Sequence, residues 1–506
     1  MKLKKYIRHI TNSIILSSFL FCNVTGQVKD TATVKKQTFH NSLEELREQL
    51  DDTFNDPNVS NAFWGVLIKS LKTGEVIYKR NSDKLFNPAS NIKLFTSSAA
   101  LFLLGPNYVY QTALYANGEI KNNRLEGDLI IQGSGDPTIS NRFLSGNITG
   151  VFESWADSLI SRGIKEITGD ILGDDAPFDN HGLGRGWSWD NESAWFAAPS
   201  GALSFNDNTI TVVIKPSETG FPANIEVIPN TAYASLIKKV ITSNNNSQNT
   251  ISVSKLRGTN VISVSGSIAK DSKPVIEHIS ISDPTMFFLT VFKEVCGQKG
   301  ISVKGKIGSI ASSQKIILTE NLSPLILHES VPMHMILKEL NKHSNNFYAE
   351  QILKTIGYEA YNFGTTENGV KACKELFYSM GVNPENMVMV DGSGLSRLNL
   401  VSPRQIINLL TYVYSSEEYE PFYDSLPVGG VDGTIAERMK RTSAENNVRA
   451  KAGFNENISS LSGYLKTTGG ETFAFSIIVN NFLVSPSLIN YIIDNVCNRL
   501  VNFTRN

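Results

Sequence analysis

A helix that is apolar on all sides restricts the fold of this chain more than any other feature. Residues 90–104 carry Ile, Leu, Phe and Ala around the whole helix circumference, and Gly105 and Pro106 end the pattern. Such a helix must lie inside a domain, because none of its faces suits contact with water. Lys93 is its one charged residue, and a buried ammonium group needs polar partners. The chain must therefore form layers that surround this helix and supply partners to Lys93.

The composition supports a large folded core. The chain has 506 residues, 41% of them hydrophobic, and its 47 Lys and Arg nearly balance its 48 Asp and Glu, for a net charge of −1. Disordered tails and fibres have different compositions. No basic run provides an electrostatic surface for nucleic acid, so we expect no nucleic-acid partner. The length predicts about three domains, or one large domain with insertions.

The N-terminal segment predicts export. A lysine-rich start precedes an apolar run over residues 14–22, and the small residues Val24, Thr25 and Gly26 follow. This layout is typical of a secretory signal peptide, which we assign to residues 1–26. The apolar run is too short for a stable anchor, so we expect no membrane span after signal cleavage. An uncleaved signal anchor is the alternative.

Cysteine and histidine patterns argue against a metal site. The cysteines beyond the signal segment are Cys296, Cys373 and Cys497, an odd number without C-x-x-C spacing. We interpret them as small buried apolar residues. The 7 histidines include no H-E-x-x-H motif and no close pair. A zinc-dependent hydrolase is therefore not expected.

The order of predicted elements separates an inserted region from the sequence that flanks it. Residues from about 110 to 325 carry short β-rich runs broken by Gly, Asn and Ser. Longer strand and helix patterns lie on either side: strands 62–70, 75–79, 448–451, 461–465 and 472–479, and helices 346–356, 402–413 and one from Ser485. We interpret this order as an α/β domain that is built from both ends of the chain and interrupted by a β-rich insertion.

Ser90 and Lys93 form an S-x-x-K pair at the start of the apolar helix. This spacing places both side chains on one helix face, about 5–6 Å apart at Cβ. Burial lowers the pKa of an ammonium group, so Lys93 can act as a base toward the Ser90 hydroxyl. The helix N-terminus also directs N–H groups toward a developing oxyanion. The structural alternative is a helix-capping Ser with a Lys that reaches to solvent.

Context distinguishes this pair from others with the same letters. Four more S-x-x-K pairs begin at Ser235, Ser252, Ser267 and Ser312, all in the β-rich region. Residues three apart on a strand point to opposite faces, so they do not form a functional pair. We interpret these four pairs as solvated polar residues.

Two later motifs stand in an order found in a known family. Ser344-Asn345-Asn346 begins a predicted helix, and Lys451-Ala452-Gly453 ends a predicted strand that two more strands follow. With Ser90 and Lys93 they resemble the three motifs of serine penicillin-binding proteins and β-lactamases. The long stretch before Ser344 is similar to that of the D-alanyl-D-alanine carboxypeptidase/endopeptidase branch (low-molecular-mass class C), which has domains inserted there. Further matching stretches are 127–138, 187–190, 391–397 and 430–434.

The resemblance implies a fold and a location. The fold is α/β, with a β-lactamase/transpeptidase-like domain (an antiparallel sheet flanked by helices) interrupted by a large β-rich insertion. Residues 27–110 and 326–506 are then the two parts of this domain, and residues 111–325 are the insertion, with two subdomains. Enzymes of this branch act on the cell wall, so the exported chain is expected in the periplasm.

The resemblance also implies acyl transfer through a covalent intermediate. Ser90 is the expected nucleophile, Lys93 the general base and Ser344 the proton relay to the leaving amine. The expected substrate-binding residues are Asn346, Lys451, Gly453 and Phe454, and the N–H groups of Ser90 and Phe454 form the oxyanion hole. Peptidoglycan stem peptides are the expected substrates and β-lactams the covalent inhibitors. No metal or organic cofactor is required.

One departure from the family pattern keeps other functions open. The third motif normally has Thr in its middle position, where the hydroxyl helps to hold the substrate carboxylate, and this chain has Ala452. The usual letters of the third motif do occur at Lys72-Thr73-Gly74. That stretch precedes Ser90, however, and is typical of a hairpin turn. The first alternative is a penicillin-binding-like wall-binding or sensor module with little turnover, which Ala452 favours and the intact Ser90 and Lys93 oppose. The second is an esterase or β-lactamase of the same superfamily, which the long insertion opposes.

Overall fold

The structure is a computed structural model that describes residues 43–313 and 322–505. The predicted signal peptide at residues 1–26 lies outside these residues. Within the described ranges, no helix combines the length and the apolar character that crossing a membrane requires. Cys296, Cys373 and Cys497 are free and buried, which confirms their interpretation as small apolar residues.

Helices and strands alternate along the chain in an order close to the predicted one. The helices are α1 (Leu43–Phe54), α2 (Ile92–Leu103), α3 (Gly150–Ser161), α4 (Pro284–Gln298), α5 (Ile310–Ser313), α6 (Met333–His343), α7 (Asn346–Tyr361), α8 (Thr366–Ser379), α9 (Pro403–Tyr414), α10 (Tyr419–Ser425) and α11 (Pro486–Val501). The strands are β1 (Phe63–Ser70), β2 (Val76–Arg80), β3 (Gln111–Lys121), β4 (Arg124–Gln132), β5 (Glu166–Ile167), β6 (Ile171–Asp174), β7 (Thr209–Lys215), β8 (Asn224–Ile228), β9 (Ser235–Ser243), β10 (Ser252–Lys255), β11 (Val261–Ala269), β12 (Val275–Ser280), β13 (Ser302–Val303), β14 (Ile307–Ser309), β15 (Pro324–Glu329), β16 (Arg449–Asn455), β17 (Ile458–Lys466) and β18 (Thr472–Asn480).

An antiparallel sheet joins distant parts of the sequence. Its strand order is β16-β17-β18-β1-β2, so β18 pairs with β1 and β16 lies at one edge. Alternation along β1 sends Leu67 to one face and Val66 and Ile68 to the other. The first face packs on α9 and shares its core with α2, α6 and α7, and the second face packs on α1 and α11. This confirms the predicted antiparallel sheet flanked by helices.

The inserted region has a hydrophobic core of its own. Its buried members come from residues between Leu114 and Ile326. The region contains a seven-stranded sheet and two three-stranded sheets. It also contains α3 and α4, which the prediction of a purely β-rich region missed because their apolar residues merge with the neighbouring strand patterns. The boundaries 111–325 and the two-subdomain division stay a prediction.

Helix α2 is enclosed as its sequence predicts. Its residues from Ile92 to Leu101 are buried, including Lys93. One detail differs from the prediction. Ser90 lies in a short 3₁₀ turn (Ala89–Asn91) just before α2, and the Ala89 backbone is left-handed with φ of 46°. Gly394 packs closely against this turn, so that a Cβ at Gly394 would collide with the Ala89 carbonyl oxygen.

We predict that Phe152→Ala destabilises the inserted region by about 3–5 kcal/mol, because it removes a fully buried ring from an aromatic cluster. The Phe152 ring lies 4.6 Å from the Phe205 ring and 4.7 Å from the Phe288 ring. Urea unfolding measures the change. Tyr378→Ala is the matched control, since Tyr378 is 72% exposed, and it should leave stability nearly unchanged.

Candidate active site

Lys93 lies at the centre of a cluster of oxygen acceptors. Its Nζ is 3.1 Å from Ser90 Oγ, 2.6 Å from Asn346 Oδ1 and 2.6 Å from the Ser393 carbonyl oxygen. These three acceptors use the three N–H bonds of an ammonium group, and none carries a formal charge. Burial lowers the pKa of Lys93 to about 7, and the charges of Asp391 and Glu350 partly oppose this effect. A neutral amine is therefore accessible beside the Ser90 hydroxyl near neutral pH.

The junction between α6 and α7 presents Ser344 and Asn346. Ser344 ends α6 in a left-handed conformation with φ of 54°, and the Asn345 side chain caps α7. The motif stands at the start of a helix as predicted, since α7 begins at Asn346, and Ser344 is in addition the C-cap of α6. The Asn346 side-chain Nδ2 donates to the Phe196 carbonyl over 2.9 Å. This bond turns Oδ1 of Asn346 toward Lys93.

Lys451 is the third residue of β16. The prediction placed it at the end of the strand, but the strand continues to Asn455. Its Nζ donates to Ser344 Oγ over 2.8 Å and to the Ala452 carbonyl over 2.7 Å. Burial and the nearby Lys93 charge lower the pKa of Lys451 well below its usual range. The two lysines therefore resist being charged at the same time.

Gly453 lets β16 approach the turn that holds Ser90. A Cβ at this position would lie 2.8 Å from the Pro88 carbonyl oxygen and 2.9 Å from the Ser90 nitrogen, and it would collide with Ser460 Oγ. Asn91 fixes the same approach, because its Nδ2 donates to the Lys451 carbonyl over 2.9 Å. The first and third motifs therefore pack backbone against backbone, which only glycine permits here.

The exposed backbone of β16 faces the same space. The Ala450 N–H donates to the Pro427 carbonyl over 3.0 Å, on the side away from β17. Alternate residues of an antiparallel strand bond on one side, so the N–H groups of Ala452 and Phe454 also face away from β17. The Phe454 side chain is 62% exposed. The structure thus brings all the predicted site residues together at the edge of the sheet.

The inserted region completes the surroundings of the site. A cavity of about 500 Å³ opens beside it, with Asp190, Phe196, Arg397 and Asn455 in its lining. Trp187 belongs to the same loop region and is not a free aromatic platform, since its Nε1 donates to Asp391 Oδ2 over 2.9 Å. Among the described residues, no group of three or more His, Cys, Asp or Glu side chains is placed to hold a metal ion.

Comparison with known proteins identifies the family. The D-Ala-D-Ala carboxypeptidase 3 (S13) family matches residues 46–500. The chain belongs to this family. It is 33% identical to a D-alanyl-D-alanine carboxypeptidase of an Actinomadura species, over 87% of this chain and 81% of that protein. It is 28% identical to the D-alanyl-D-alanine carboxypeptidase DacB of Haemophilus influenzae, over 83% of this chain and 85% of that protein.

A solved structure agrees with this assignment. Penicillin binding protein 4 (DacB) of Haemophilus influenzae superimposes with a TM-score of 0.78 and 26% identity, over 90% of this chain and 99% of that chain. The fold predicted from the motifs, the penicillin-binding-protein family and the enzyme class of a serine-type D-Ala-D-Ala peptidase are confirmed. The roles of the individual site residues stay a prediction.

Sequence analysis missed three residues of this S13 site. Glu350 is buried on α7, and Asp391 and Ser393 are buried in the loop that follows α8. Residues 391–397 were recognised as a stretch that matches the family, but Asp-Gly-Ser-Gly is also a turn pattern, so no role in the site was assigned to it. Its carbonyl contact with Lys93 depends on tertiary packing, which no local pattern shows. Glu350 also carried a signal, since it is a charged residue that lies among the apolar residues of its helix.

We predict that Gly453→Ala lowers the rate of Ser90 acylation at least 100-fold, because the added Cβ pushes β16 away from the Ser90 turn. Labelling with a fluorescent penicillin, followed over time, measures the rate. Gly297→Ala is the matched control: Gly297 lies in α4 with open space at its Cβ position, and labelling should be unchanged. A normal rate in Gly453→Ala would show that this close approach is not needed.

Proposed function

We propose that this S13 family member cleaves D-alanyl-D-alanine ends of peptidoglycan stem peptides, and D-alanine-containing cross-links, through an acyl-enzyme at Ser90. The observation that carries this proposal is the contact of the fully buried Lys93, through Nζ, with Ser90 Oγ, among acceptors that carry no formal charge. A hydroxyl beside an amine that loses its proton near neutral pH is an activated nucleophile. The same step opens a β-lactam ring, so β-lactams act as covalent inhibitors.

Acylation uses the residues in the following roles. Neutral Lys93 removes the Ser90 proton while Oγ attacks the carbonyl carbon between the two D-alanines. The carbonyl oxygen becomes an oxyanion between the N–H groups of Ser90 and Phe454. The leaving amine then takes a proton that Ser344 relays, and the terminal D-alanine departs. Water attacks the remaining ester, with Lys93 again as the base, and restores Ser90.

Lys451 and Asn346 bind the substrate in this scheme. Because two buried ammonium groups repel each other, the singly charged pair is favoured over the doubly charged one. The scheme places that charge on Lys451, where the incoming carboxylate stabilises it, while Lys93 is neutral. Charged Lys451 then attracts the terminal carboxylate of the stem peptide. Asn346 uses one N–H for the Phe196 carbonyl, which leaves its second N–H for the substrate amide. Gly453 contributes by letting β16 lie close to the Ser90 turn, so that the substrate can contact both.

We also propose export to the periplasm through the signal peptide at residues 1–26. Support comes from the sequence pattern and from the proposed substrate, which lies outside the cytoplasmic membrane. The free cysteines do not oppose this location, because all three are buried away from oxidants and from each other.

A binding or sensor module with little turnover is the second candidate, and Ala452 is the observation that favours it. Ala452 is partly buried, and its remaining surface is open because β16 is the outermost strand. A hydroxyl lost from a charge-assisted carboxylate site costs about 1.5–3 kcal/mol of substrate binding. The intact pair of Ser90 and Lys93 favours turnover, since binding alone needs no base next to a hydroxyl.

We predict that Ser90→Ala abolishes covalent labelling by fluorescent penicillin and release of D-alanine from a muropeptide, while the unfolding midpoint stays the same. The nucleophilic oxygen is removed and no other contact is essential to the fold. Ser252→Ala, in an S-x-x-K pair on β10, is the control and should label normally. Persistent labelling of Ser90→Ala would remove Ser90 from the nucleophile role.

We predict that Ala452→Thr raises kcat/KM for a D-alanyl-D-alanine peptide about 10-fold, because the hydroxyl adds a hydrogen bond to the substrate carboxylate. Ala452→Val has the same shape without the hydroxyl and should show no gain. Equal values for the two variants would show that the hydroxyl plays no part. Wild-type labelling without any D-alanine release would instead favour the sensor function.

A further inference from the structure

Glu350 is a buried carboxylate for which the proposed mechanism has no role. It lies on α7 one turn after Asn346 and is 4% exposed. Its Oε1 accepts the N–H of Gly392 over 3.0 Å and the N–H of Ser393 over 2.8 Å. A carboxylate held by backbone N–H groups fixes the loop that carries them.

The loop fixed by Glu350 also holds Lys93. The N–H of Ser393 bonds to Glu350, and the carbonyl of Ser393 lies 2.6 Å from Lys93 Nζ. One residue therefore separates the carboxylate from the ammonium group. Direct contact would keep Lys93 protonated and unable to act as a base. The intervening peptide places the negative charge near enough to act on Lys93 without a salt bridge.

We propose that Glu350 is a positioning residue for Lys93: its carboxylate fixes the 391–394 loop so that the Ser393 carbonyl faces Nζ, and its charge makes Lys93 a stronger base. The proposal rests on the general-base role proposed above for Lys93. In this proposal the carboxylate of Glu350 supplies a negative charge near Lys93, although the three groups that contact Lys93 Nζ carry no charge.

The charges around this pair support the assignment. Burial and the charge of Asp391 raise the pKa of Glu350 to about 7, while Lys93 opposes the rise. Asp391 is itself held by N–H groups of Gly394, Ser396 and Trp187. Since Lys93 and Glu350 both change charge near neutral pH, each affects the proton affinity of the other.

Other ionisable groups face the two residues from neighbouring elements. Lys451 approaches Lys93 from β16. Glu350 opens on a cavity of about 200 Å³, large enough for several water molecules that can exchange protons with it. The ionisable residues in that lining, besides Glu350, are Asp179, His181, Arg185, Lys354 and Glu367. Lys354 and Asp179 form an ion pair of 2.6 Å, so their charges largely cancel at Glu350.

The test is the pH dependence of acylation in Glu350→Gln. The glutamine oxygen can accept both N–H groups, because Oε1 accepts both of them in the native chain. Only the longer contact of 3.2 Å between Oε2 and the Gly392 N–H is lost. The second-order rate of labelling by a fluorescent penicillin is measured from about pH 5 to pH 9. Loss of the negative charge eases deprotonation of Lys93, so the acid limb should move down by about 0.5–1 pH unit, with a plateau within about three-fold of the wild type.

Asp494→Asn is the matched control. Asp494 lies on α11, across the sheet from the site, and its carboxylate pairs with Arg438 over 2.7 Å. Loss of this distant negative charge should leave the acid limb of the pH profile in place. An unmoved limb in folded Glu350→Gln overturns the proposal.

A second variant keeps the test decisive if Glu350→Gln does not fold. Glu350→Asp retains the charge and shortens the reach to the loop, so we expect the wild-type limb with a lower plateau, and a shifted limb overturns the proposal.

Lys93→Ala separates this inference from the function on which it rests. If Lys93→Ala labels like the wild type, the general-base role fails; if it does not label and Glu350→Gln is unshifted, only the role of Glu350 fails.

Discussion

The site depends on an ammonium group that is buried among oxygen atoms without formal charge. A charge in the protein interior costs several kcal/mol unless polar groups replace its water. Ser90, Asn346 and Ser393 supply that replacement from a turn, a helix and a loop. Because neutral acceptors offset only part of the cost, Lys93 releases its proton easily. Enclosure of α2 and activation of the serine are therefore two results of the same burial.

The inserted region takes part in this arrangement through α7. It accepts hydrogen bonds from Asn346 at the Phe196 carbonyl, from Gln351 at the Gly201 carbonyl and from Lys354 at the Ser200 carbonyl. These contacts fix the rotation of α7 along most of its length. Since the amide of Asn346 has one N–H held by the insertion, its oxygen must face Lys93. The insertion therefore helps to set the surroundings of Lys93.

Much of this architecture could be predicted from the sequence. The enclosed helix follows from its apolar pattern. The antiparallel sheet and the closeness of the three motifs follow from the resemblance to the penicillin-binding-protein family that the order of those motifs carries. Ser90 was predicted in the first turn of the helix, whereas it lies in the 3₁₀ turn just before α2, where the left-handed Ala89 backbone has no sequence signal.

Features that depend on tertiary contact were not predictable. The Ser393 carbonyl contributes no side-chain signal, and the buried acids Glu350 and Asp391 gain their meaning only from the groups placed around them. Helices α3 and α4 were missed within a region whose short apolar runs suit strands as well as helices.

The pairing of β1 with β18 has a consequence for the time at which the nucleophile becomes reactive. The contacts that complete the site span most of the chain, and the bond from Asn91 to the Lys451 carbonyl joins residues 360 positions apart. Loop closure over such distances is slow, and a ribosome adds about 5–20 residues per second. A nascent chain therefore carries Ser90 for many seconds before β16 can reach it. The active site therefore forms only after β16, β17 and β18 have been synthesised and have joined β1 and β2 in the sheet.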